Sequence, residues 1–227
     1  MGRKNLVLVG DSAFAEVAFA YFQQANEYNV VGFSVEKEFL RSPKLCGLPV
    51  VPFETVETFF PPETHSIFVA IVYTELNRLR TRLMKQAKAK GYALARYISQ
   101  EATISPNSEI GEHCFIFENN VVQPFTTINQ NCILWSGNHL GHHSVLEENC
   151  FISSHVVISG FSRIKTNSFM GVNSSCADRI IVAEDNWIGP NCCITKNTEV
   201  GQIFRAPEPQ IARVSSLKFF KVRSHDV

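Results

Sequence analysis

A large aliphatic side chain returns at every sixth position through the second half of the chain. The series starts at Ile104 and continues to Val200 without a gap, and Cys176 is its one weak member. A second series, made mostly of Ala, Ser, Thr, Cys and Val, lies two positions before each large residue. Residues two apart point to the same side of a short strand. Each hexapeptide is therefore predicted to be a short strand with a small and a large residue facing inward, followed by a corner.

Three such strands make one triangular coil of eighteen residues, so side chains eighteen positions apart stack at the strand spacing of about 4.8 Å. Cys114, Cys132 and Cys150 have this spacing, which places them at the same position on three successive coils. The favoured interpretation is a ladder of small buried side chains, continued by Ser168, because buried Cys behaves as a small hydrophobe. The alternative is a metal site or a redox stack.

The first 98 residues lack this repeat and alternate between apolar runs and helical patterns. Strands are predicted at residues 6–9, 30–35, 45–51 and 67–72, and helices at residues 12–24 and 76–90. This alternation favours a small α/β domain with a mostly parallel sheet.

The chain is thus expected to have three parts: an α/β domain at residues 1–98, a parallel β-helix at 99–202 and a tail at 203–227. The last coil of a β-helix exposes unpaired strand edges, which promote aggregation unless they are covered. The tail offers apolar side chains for this purpose, at Ile211, Val214, Leu217, Phe219 and Phe220. We therefore predict that the tail caps the open end of the β-helix.

Charge and composition exclude several classes of protein. Lys plus Arg and Asp plus Glu both number 21, so the formal net charge is zero, whereas nucleic-acid-binding proteins normally carry a basic excess. No run of about 18 apolar residues is present, so no membrane insertion is expected, and the N-terminal apolar stretch is too short for an export signal. Seven cysteines without a CxxC pair indicate reduced thiols in a cytoplasmic protein.

A glycine turn follows the first predicted strand, in the sequence Gly10-Asp11-Ser12. A turn of this kind into a helix N-terminus suits phosphate binding, but the glycine-rich dinucleotide fingerprint is missing and Asp11 would repel a phosphate. Contact with a nucleotide-linked sugar and an ordinary strand-to-helix turn are both compatible with these residues.

With the hexapeptides and the α/β unit in place, the chain resembles the hexapeptide-repeat sugar acyltransferases over nearly its full length. It is most similar to the branch that holds nucleotide-amino-sugar N-acetyltransferases and sialic-acid O-acetyltransferases. The resemblance implies a left-handed β-helix, a Rossmann-like small domain that binds a nucleotide-linked sugar, and a homotrimer with acetyl-CoA in a groove between subunits. The contacts to the nucleotide-linked sugar that it implies are Gly10, Asp11, Ser12, Phe33 and Ser34.

The most specific part of the resemblance is the segment 134–144, which reads Leu-Trp-Ser-Gly-Asn-His-Leu-Gly-His-His-Ser. The catalytic histidine of the family stands two places after an inward aliphatic residue, a position that His142 occupies here. Some relatives follow it with a carboxylate that orients the base, where this chain has His143. Asn138 and His139 are further candidates for orienting the base. The alternative for Asn138 is a ladder with Asn120, eighteen residues earlier. The implied acetyl-CoA contacts are Phe151, Gly160, Val172 and Gly189.

The histidines also raise a zinc site as an alternative, because His139, His142, His143 and His155 lie close in sequence. Ligands on stacked coils should differ by multiples of eighteen positions, and no pair among these residues and His113 does. Ligands from neighbouring subunits would escape this argument. A surface corner is the interpretation chosen for His113, and it is the favoured one for His143 and His155.

The function predicted from these residues is acetyl-CoA-dependent N-acetylation of a nucleotide-linked amino sugar, for bacterial surface glycan biosynthesis and without a metal. An imidazole can take the proton of the attacking amine and return it to the leaving thiolate. Gly160 lies eighteen residues after His142, one coil along at the same corner, where it either permits close approach of the thioester or is a simple turn glycine. The alternatives are a sugar O-acetyltransferase, a β-helical zinc lyase of the carbonic anhydrase type, and a non-catalytic assembly module.

Overall fold

The computed structural model describes residues 3–222 and shows the predicted change from an α/β sheet to a β-helix. The elements of the first part are β1 (Lys4–Val9), α1 (Ala13–Gln24), β2 (Tyr28–Val35), β3 (Lys44–Leu45), β4 (Leu48–Pro52), α2 (Val56–Phe59), β5 (His65–Val69), α3 (Arg78–Ala89) and β6 (Ala93–Leu94). Short 3-10 helices occupy Lys37–Phe39 and Phe53–Thr55. Across residues 3–222, no helix is both long and apolar enough to cross a membrane.

Six strands form one sheet in the order β3-β4-β2-β1-β5-β6. All neighbouring pairs are parallel except β3 and β4, which are joined by a turn with positive φ at Cys46 (49°) and Gly47 (79°). The run predicted as a single third strand is therefore a hairpin. Alternate side chains of β1 enter two different cores, since Leu8 packs with residues of α1 and Val7 with residues of α2 and α3.

The second part is a coil of two-residue strands, and the second residue of most strands points inward. These strands are β7 (Tyr97–Ile98), β8 (Thr103–Ile104), β9 (Glu109–Ile110), β10 (Phe115–Ile116), β11 (Val121–Val122), β12 (Thr127–Ile128), β13 (Ile133–Leu134), β14 (His139–Leu140), β15 (Val145–Leu146), β16 (Phe151–Ile152), β17 (Val157–Ile158), β18 (Arg163–Ile164), β19 (Phe169–Met170), β20 (Ser175–Cys176), β21 (Ile181–Val182), β22 (Trp187–Ile188), β23 (Cys193–Ile194) and β24 (Ile203–Phe204).

The strands build three parallel sheets, which form the sides of the coil. The first sheet contains β7, β10, β13, β16, β19, β22 and β24; the second sheet contains β8, β11, β14, β17, β20 and β23; the third sheet contains β9, β12, β15, β18 and β21. Paired residues such as Phe115 and Ile133 are eighteen positions apart, as the repeat predicts. These parallel sheets and hexapeptides agree with a left-handed β-helix.

The inward side chains of the three sheets form one continuous core. Cys114, Cys132 and Cys150 belong to it and are at most 1% exposed, so the cysteine ladder is part of the packed interior. All seven cysteines are free thiols.

Each corner between residues 113 and 191 contains one residue with a left-handed backbone conformation. The non-glycine residues at these positions have φ between 56° and 63° and recur every eighteen positions. They make three columns along the helix. The first column is His113, Asn131, Asn149, Asn167 and Asp185, the second is Asn119, Gly137, His155, Asn173 and Asn191, and the third is Phe125, His143, Phe161 and Arg179. Asn, Asp and Gly tolerate this conformation best, so the third column is unusual.

The first sheet packs its outward side chains against the α/β domain through aromatic contacts. Tyr97 and Phe115 stack with 4.7 Å between ring centroids, and Phe22 of α1 meets Phe115 edge-on at 5.7 Å. Trp135 stacks on Phe117 at 4.6 Å. One apolar cluster thus includes residues of both parts, and the α/β domain is seated on one side of the β-helix.

His113 is fully buried at this junction, so the prediction of a surface corner is wrong. Its Nε2 accepts a hydrogen bond from the backbone N–H of Val69 at 2.9 Å, and its Nδ1 lies 2.7 Å from Asn131 Oδ1. These partners require a proton on Nδ1 and none on Nε2. Burial, together with the nearby charge of Arg80, lowers the pKa of His113 well below its usual range. The ring is therefore neutral, and its role is structural.

Arg80 of α3 is also fully buried and completes the junction. Its guanidinium donates to the carbonyls of Val69 and His113. Just before α3, the Asn77 side chain donates to the carbonyl of Asn149 at 2.6 Å. The α3 end of the α/β domain thus covers the first corner column.

The tail covers the end of the β-helix over a shorter stretch than predicted. The inward series ends at Ile194, because Val200 is 62% exposed, and β24 pairs with β22 sixteen residues later, as Trp187 with Ile203. Ala206 still packs against the inner core. The side chains predicted as cover, which extend into α4 (Ser216–Phe219), are 41% to 97% exposed. Within the tail up to residue 222, the cap therefore ends near Ala206, where the chain leaves the coil. Residues 223–227 of the predicted tail lie outside the described residues.

Candidate functional site

His142 lies on the corner between the second and third sheets, and its side chain is exposed. Its backbone N–H donates to Oε1 of Gln123 at 2.9 Å, and its carbonyl accepts from the N–H of Phe161 at 2.9 Å. The backbone is thus tied to the coils on both sides while the imidazole reaches solvent. An exposed imidazole on a fixed backbone is suited to exchange protons with a bound substrate.

Gly160 provides space for the ring of His142. A Cβ atom at position 160 would lie 3.0 Å from Cε1 and 3.1 Å from Nε2 of His142, which is closer than an ordinary van der Waals contact. Gly160 does not have a left-handed φ, so its backbone does not require glycine. The close approach of the His142 ring is therefore what favours glycine here, and the spacing of eighteen residues corresponds to direct proximity.

His143 contacts His142 and is enclosed by the rings of its own column. The two Nδ1 atoms are 3.2 Å apart, and the ring planes are nearly perpendicular, at 88°. His143 stacks on Phe161 with 4.8 Å between centroids and 16° between planes, and Phe125 lies 4.8 Å from it, one coil earlier. His143 is therefore exposed at a corner, as predicted, and is also within hydrogen-bond distance of the candidate base.

Asn138 and His139, the other two candidates for orienting the base, have different surroundings. Asn138 is buried inside the coil, where its side chain donates to Asn120 Oδ1 at 3.0 Å and accepts from the N–H of Val156 at 2.7 Å. His139 is half-buried on the outer side of the second sheet. Asn138 therefore forms the ladder with Asn120 that was the predicted alternative to an orienting role.

A zinc site would require several donors that converge on one point. Within the described residues 3–222, no group of three or more His, Cys, Asp and Glu side chains is arranged to hold a metal ion. His155 is exposed, as predicted, and lies over Gly137, where a Cβ would come within 2.6 Å of its ring.

An aromatic groove lies on a different corner, between the first and second sheets. Its volume is about 340 Å³, and its lining includes Tyr73, Trp135, Phe151, Phe169, Val172 and Trp187. Two predicted acetyl-CoA contacts, Phe151 and Val172, meet here, and a third, Gly189, lies so close to Trp187 that a Cβ would come within 2.8 Å of that ring. The fourth, Gly160, stands at the His142 corner. The predicted acetyl-CoA residues thus fall into two places on one chain.

A cleft of about 410 Å³ opens at the carboxyl ends of β1 and β2, and Gly10, Asp11 and Ser12 line it. Gly10 has a φ of 129°, and a Cβ there would lie 2.8 Å from the carbonyl oxygen of Ala70, so this turn requires glycine. Ligands of open α/β sheets commonly bind at this edge. The turn predicted to contact a nucleotide-linked sugar is therefore part of a ligand-sized opening.

Phe33 and Ser34 were also predicted to contact the nucleotide-linked sugar, but neither lines this cleft. Phe33 is completely buried in the core that includes α1. The carbonyl of Ser34 accepts the N–H of Gly10 at 2.8 Å. Because β2 extends to Val35, the lining of the cleft begins with Val35 and Glu36, one residue beyond the predicted pair.

Charged and aromatic residues of the cleft belong to no sequence motif and were missed. Phe39 and Arg41 line the cleft and are exposed. Glu36 accepts hydrogen bonds from Nη1 and Nη2 of Arg82 at 2.7 and 2.9 Å, and these bonds lower the pKa of Glu36. The cleft thus offers a guanidinium and an aromatic ring beside a carboxylate that is already paired.

A family comparison matches the central part of the β-helix. Residues 125–160 fit the family model described as bacterial transferase hexapeptide (six repeats), and this stretch includes His142 and Gly160. No curated protein matches the chain in sequence.

Three solved structures share the fold over most of the chain. The acetyltransferase domain of PglB from Neisseria gonorrhoeae is 22% identical with a TM-score of 0.78, and the match covers 88% of this chain and 96% of that one. PerB from Caulobacter crescentus, in complex with CoA and GDP-perosamine, is 21% identical with a TM-score of 0.74, over 85% and 89%. WeeI from Acinetobacter baumannii is 18% identical with a TM-score of 0.59, over 88% and 95%. The predicted resemblance to hexapeptide-repeat acyltransferases is confirmed by these matches.

Proposed function

We propose that this chain is an acetyl-CoA-dependent N-acetyltransferase that acylates the amino group of a nucleotide-linked sugar for surface glycan biosynthesis. The observation that carries the proposal is the His142 corner, where an exposed imidazole lies over Gly160 on a hexapeptide β-helix. PerB, which has a similar fold, binds CoA and GDP-perosamine. The free cysteines agree with a reducing compartment such as the cytoplasm.

In the proposed reaction the amine attacks the thioester carbonyl, and its proton moves to Nε2 of His142 as the C–N bond forms. The tetrahedral intermediate then expels the CoA thiolate as the C–S bond breaks, and His142 returns the proton to sulfur. Because the Phe161 N–H already donates to the His142 carbonyl, the backbone N–H of Gly160 is the donor proposed for the developing oxyanion at this corner. Acetyl-CoA is the co-substrate, and the scheme uses no metal.

The nucleotide-linked sugar is proposed to bind in the α/β cleft, as in a Rossmann-like unit. The positive end of the α1 dipole and the Arg41 guanidinium both favour the negative charge of a diphosphate. Asp11 is exposed at the turn and disfavours a phosphate directly above it, so the diphosphate is assigned to the Arg41 side. Phe39 offers a ring against which the nucleobase could pack.

The acetyl-CoA site is proposed to form between copies of the chain. His142 and the aromatic groove lie on different corners, separated by the second sheet, so one chain does not bring the groove to the base. Threefold symmetry would place the groove of one copy beside the His142 corner of the next and create three equivalent sites. Exposed apolar side chains near this corner suit such a contact, namely Phe125, Val157, Phe161 and Ile181. The chain is therefore expected to be a homotrimer.

The test is acetyl transfer to a panel of nucleotide-linked sugars, some with a free amine and some with hydroxyls alone, measured by release of the CoA thiol. Turnover that requires the amine supports the proposal. Turnover with the hydroxyl sugars alone would make the chain an O-acetyltransferase, and no turnover with any acceptor would contradict the enzyme proposal. Light scattering that shows a monomer at working concentration would contradict the composite site.

A further inference from the structure

Beyond the cap on the β-helix, the tail leaves the body of the molecule. The cap ends in the sequence Ala206-Pro207-Glu208-Pro209, and each proline favours extended backbone at the residue before it. Residues 205–212 contain no helix or strand, and every residue from 207 to 222 is exposed. The distal tail, residues 211–222, is therefore held outside the apolar clusters of the β-helix and the α/β domain.

The distal tail presents large apolar side chains to solvent. Ile211 is 97% exposed, and Phe219 and Phe220 are 67% and 73% exposed. The two rings meet edge-on, with 5.1 Å between their centroids, so they cover little of each other. Groups of exposed apolar side chains on a folded protein usually mark a surface that binds a partner. The distal tail is therefore expected to have a partner outside its own chain.

The charge of the distal tail indicates the chemistry of that partner. Its cations are Arg213, Lys218 and Lys221, and the sequence has no Asp or Glu from Pro209 to Val222. Within residues 3–222, none of these three cations forms an ion pair. Because the whole chain has a formal net charge of zero, the distal tail is a local positive patch on a neutral protein. A partner with a negative surface is complementary to it.

The order of the side chains favours a fluid partner over a folded one. Lys218 and Lys221 directly flank Phe219 and Phe220, so a protein groove that buried both rings would also desolvate two ammonium groups. Consecutive residues of a helical turn point about 100° apart, so one rigid groove does not accept both rings. At a lipid surface each ring can enter the acyl boundary, while the lysine side chains extend to the phosphates.

We propose that the distal tail docks the protein on an anionic lipid bilayer. The rings of Phe219 and Phe220 enter the interface between headgroups and acyl chains. The ammonium groups of Lys218 and Lys221 and the guanidinium of Arg213 face the lipid phosphates. In the proposed cyclic trimer, equivalent atoms of the three copies lie in one plane, so three tails would meet one bilayer together and bind more tightly than one.

Co-sedimentation of the full chain with vesicles tests this docking. One set of vesicles contains phosphatidylcholine alone, and the other contains phosphatidylcholine and phosphatidylglycerol in equal amounts. We expect binding to the mixed vesicles that weakens as salt is added, because salt screens the attraction, and little binding to phosphatidylcholine. Removing two cations in the double variant Lys218→Gln and Lys221→Gln should weaken binding by roughly 10–30-fold. The double variant Phe219→Ser and Phe220→Ser should weaken it by at least about tenfold.

Matched substitutions on the α/β domain control for the loss of a ring or a cation as such. Phe59 and Lys44 are also exposed, and Phe59→Ser and Lys44→Gln should bind the mixed vesicles like the natural chain. Light scattering and thermal unfolding of each variant check its assembly and its fold. Because the substituted residues take no part in the proposed acetyl transfer, each variant should also keep the activity of the natural chain.

The outcomes separate a lipid partner from a protein partner. Absence of binding to the mixed vesicles, or equal binding to both kinds of vesicle, would overturn the proposal. A change of assembly mass in either tail variant would mean that the distal tail packs on a second copy of the chain, and would overturn it as well. Binding that is lost in both tail variants and kept in both controls supports the docking, whether or not the chain acetylates a sugar.

Discussion

His113 and His143 occupy equivalent turns of one β-helix, with nearly the same φ of 60° and 57°, yet their surroundings are opposite. His113 is buried beneath α3 with both ring nitrogens engaged. His143 is exposed and contacts the candidate base His142. The first ring is fixed as a neutral structural group, while the second is available to assist chemistry. The difference teaches that the α/β domain, by docking on one corner, determines which corners stay open to a substrate.

The largest effect is expected at the open corner. His142→Asn should lower kcat by roughly 10²–10⁴-fold, the usual contribution of a general base, and should leave the proposed trimer and the proposed acetyl-CoA binding intact. The loss should shrink at high pH with an amine acceptor, because the amine then arrives deprotonated. Initial-rate kinetics across pH, with light scattering as the control, measure this. Near-normal turnover of His142→Asn at neutral pH would mean that the His142 corner is no more important for catalysis than the His113 corner.

A smaller effect is expected from filling the space under the His142 ring. Gly160→Ala would place a Cβ 3.0 Å from Cε1 and 3.1 Å from Nε2, so the ring must move by a few tenths of an ångström. A misplacement of about 1 Å can cost about 10²-fold in rate, so we expect a loss of roughly tenfold in kcat. Ser159→Ala, one residue earlier, is the matched control and should be near normal. Equal rates for both variants would mean that the ring does not act in the observed orientation.

The buried corner should appear in the pH dependence of stability. The pKa of His113 is lowered well below its usual value in the folded chain and is about 6.5 when unfolded. Below about pH 6.5 the unfolded chain binds a proton that the folded chain does not, so the free energy of unfolding decreases as pH falls, by up to about 1.4 kcal/mol per pH unit from this ring.

The matched variant is His113→Asn, since Asn occupies the next three positions of this column. Urea unfolding is measured for both proteins at pH 7.5 and at pH 5.5. At pH 7.5 the natural chain should be more stable than His113→Asn, because the variant leaves the Val69 N–H without its acceptor. That advantage should decrease at the lower pH, where the natural chain alone loses the contribution of His113. A difference that is independent of pH would contradict the assignment of a neutral buried ring.

The smallest effect is expected at His155, which belongs to the second corner column. This column is the reference for the columns of His113 and His143. His155 has a φ of 58° and is exposed, and Asn fills the equivalent position at Asn119 and Asn173. His155→Asn should therefore change the free energy of unfolding by less than about 0.5 kcal/mol and leave kcat unchanged. Denaturant unfolding and initial rates check this, and a clear loss of activity would place His155 in the site.

The sequence was more informative for the β-helix than for the α/β domain. The hexapeptide series predicted the inward side chains up to Ile194, and the interval of eighteen predicted that Gly160 lies beside His142. In the α/β domain the apolar run at 30–35 predicted β2 and its end at Val35, yet Phe33, inside that run, proved to be core. An apolar run predicts a strand, but it does not show which of its residues line a neighbouring cleft.

The tail and the cleft show the same limit. Apolar composition predicted a cap after position 203, but composition does not determine the direction in which the chain leaves the coil, and the cap ends near Ala206. Arg41 enters the cleft from an irregular segment, where no periodicity indicates its neighbours. Both features depend on the path of the backbone, which the local pattern of apolar and polar residues does not determine.

The sequence by itself determined the coil, its eighteen-residue register and the alignment of His142, His143 and Gly160 on one corner. These follow from local geometry, since residues two apart share a side of a strand and every third hexapeptide stacks. Only the tertiary structure decided that the His113 corner is closed and the His142 corner is open. All corners obey the same repeat, and the difference comes from Arg80, which bonds to His113 across 33 positions. Periodicity records which side chains face the core, whereas the covering of a corner depends on contacts between distant segments.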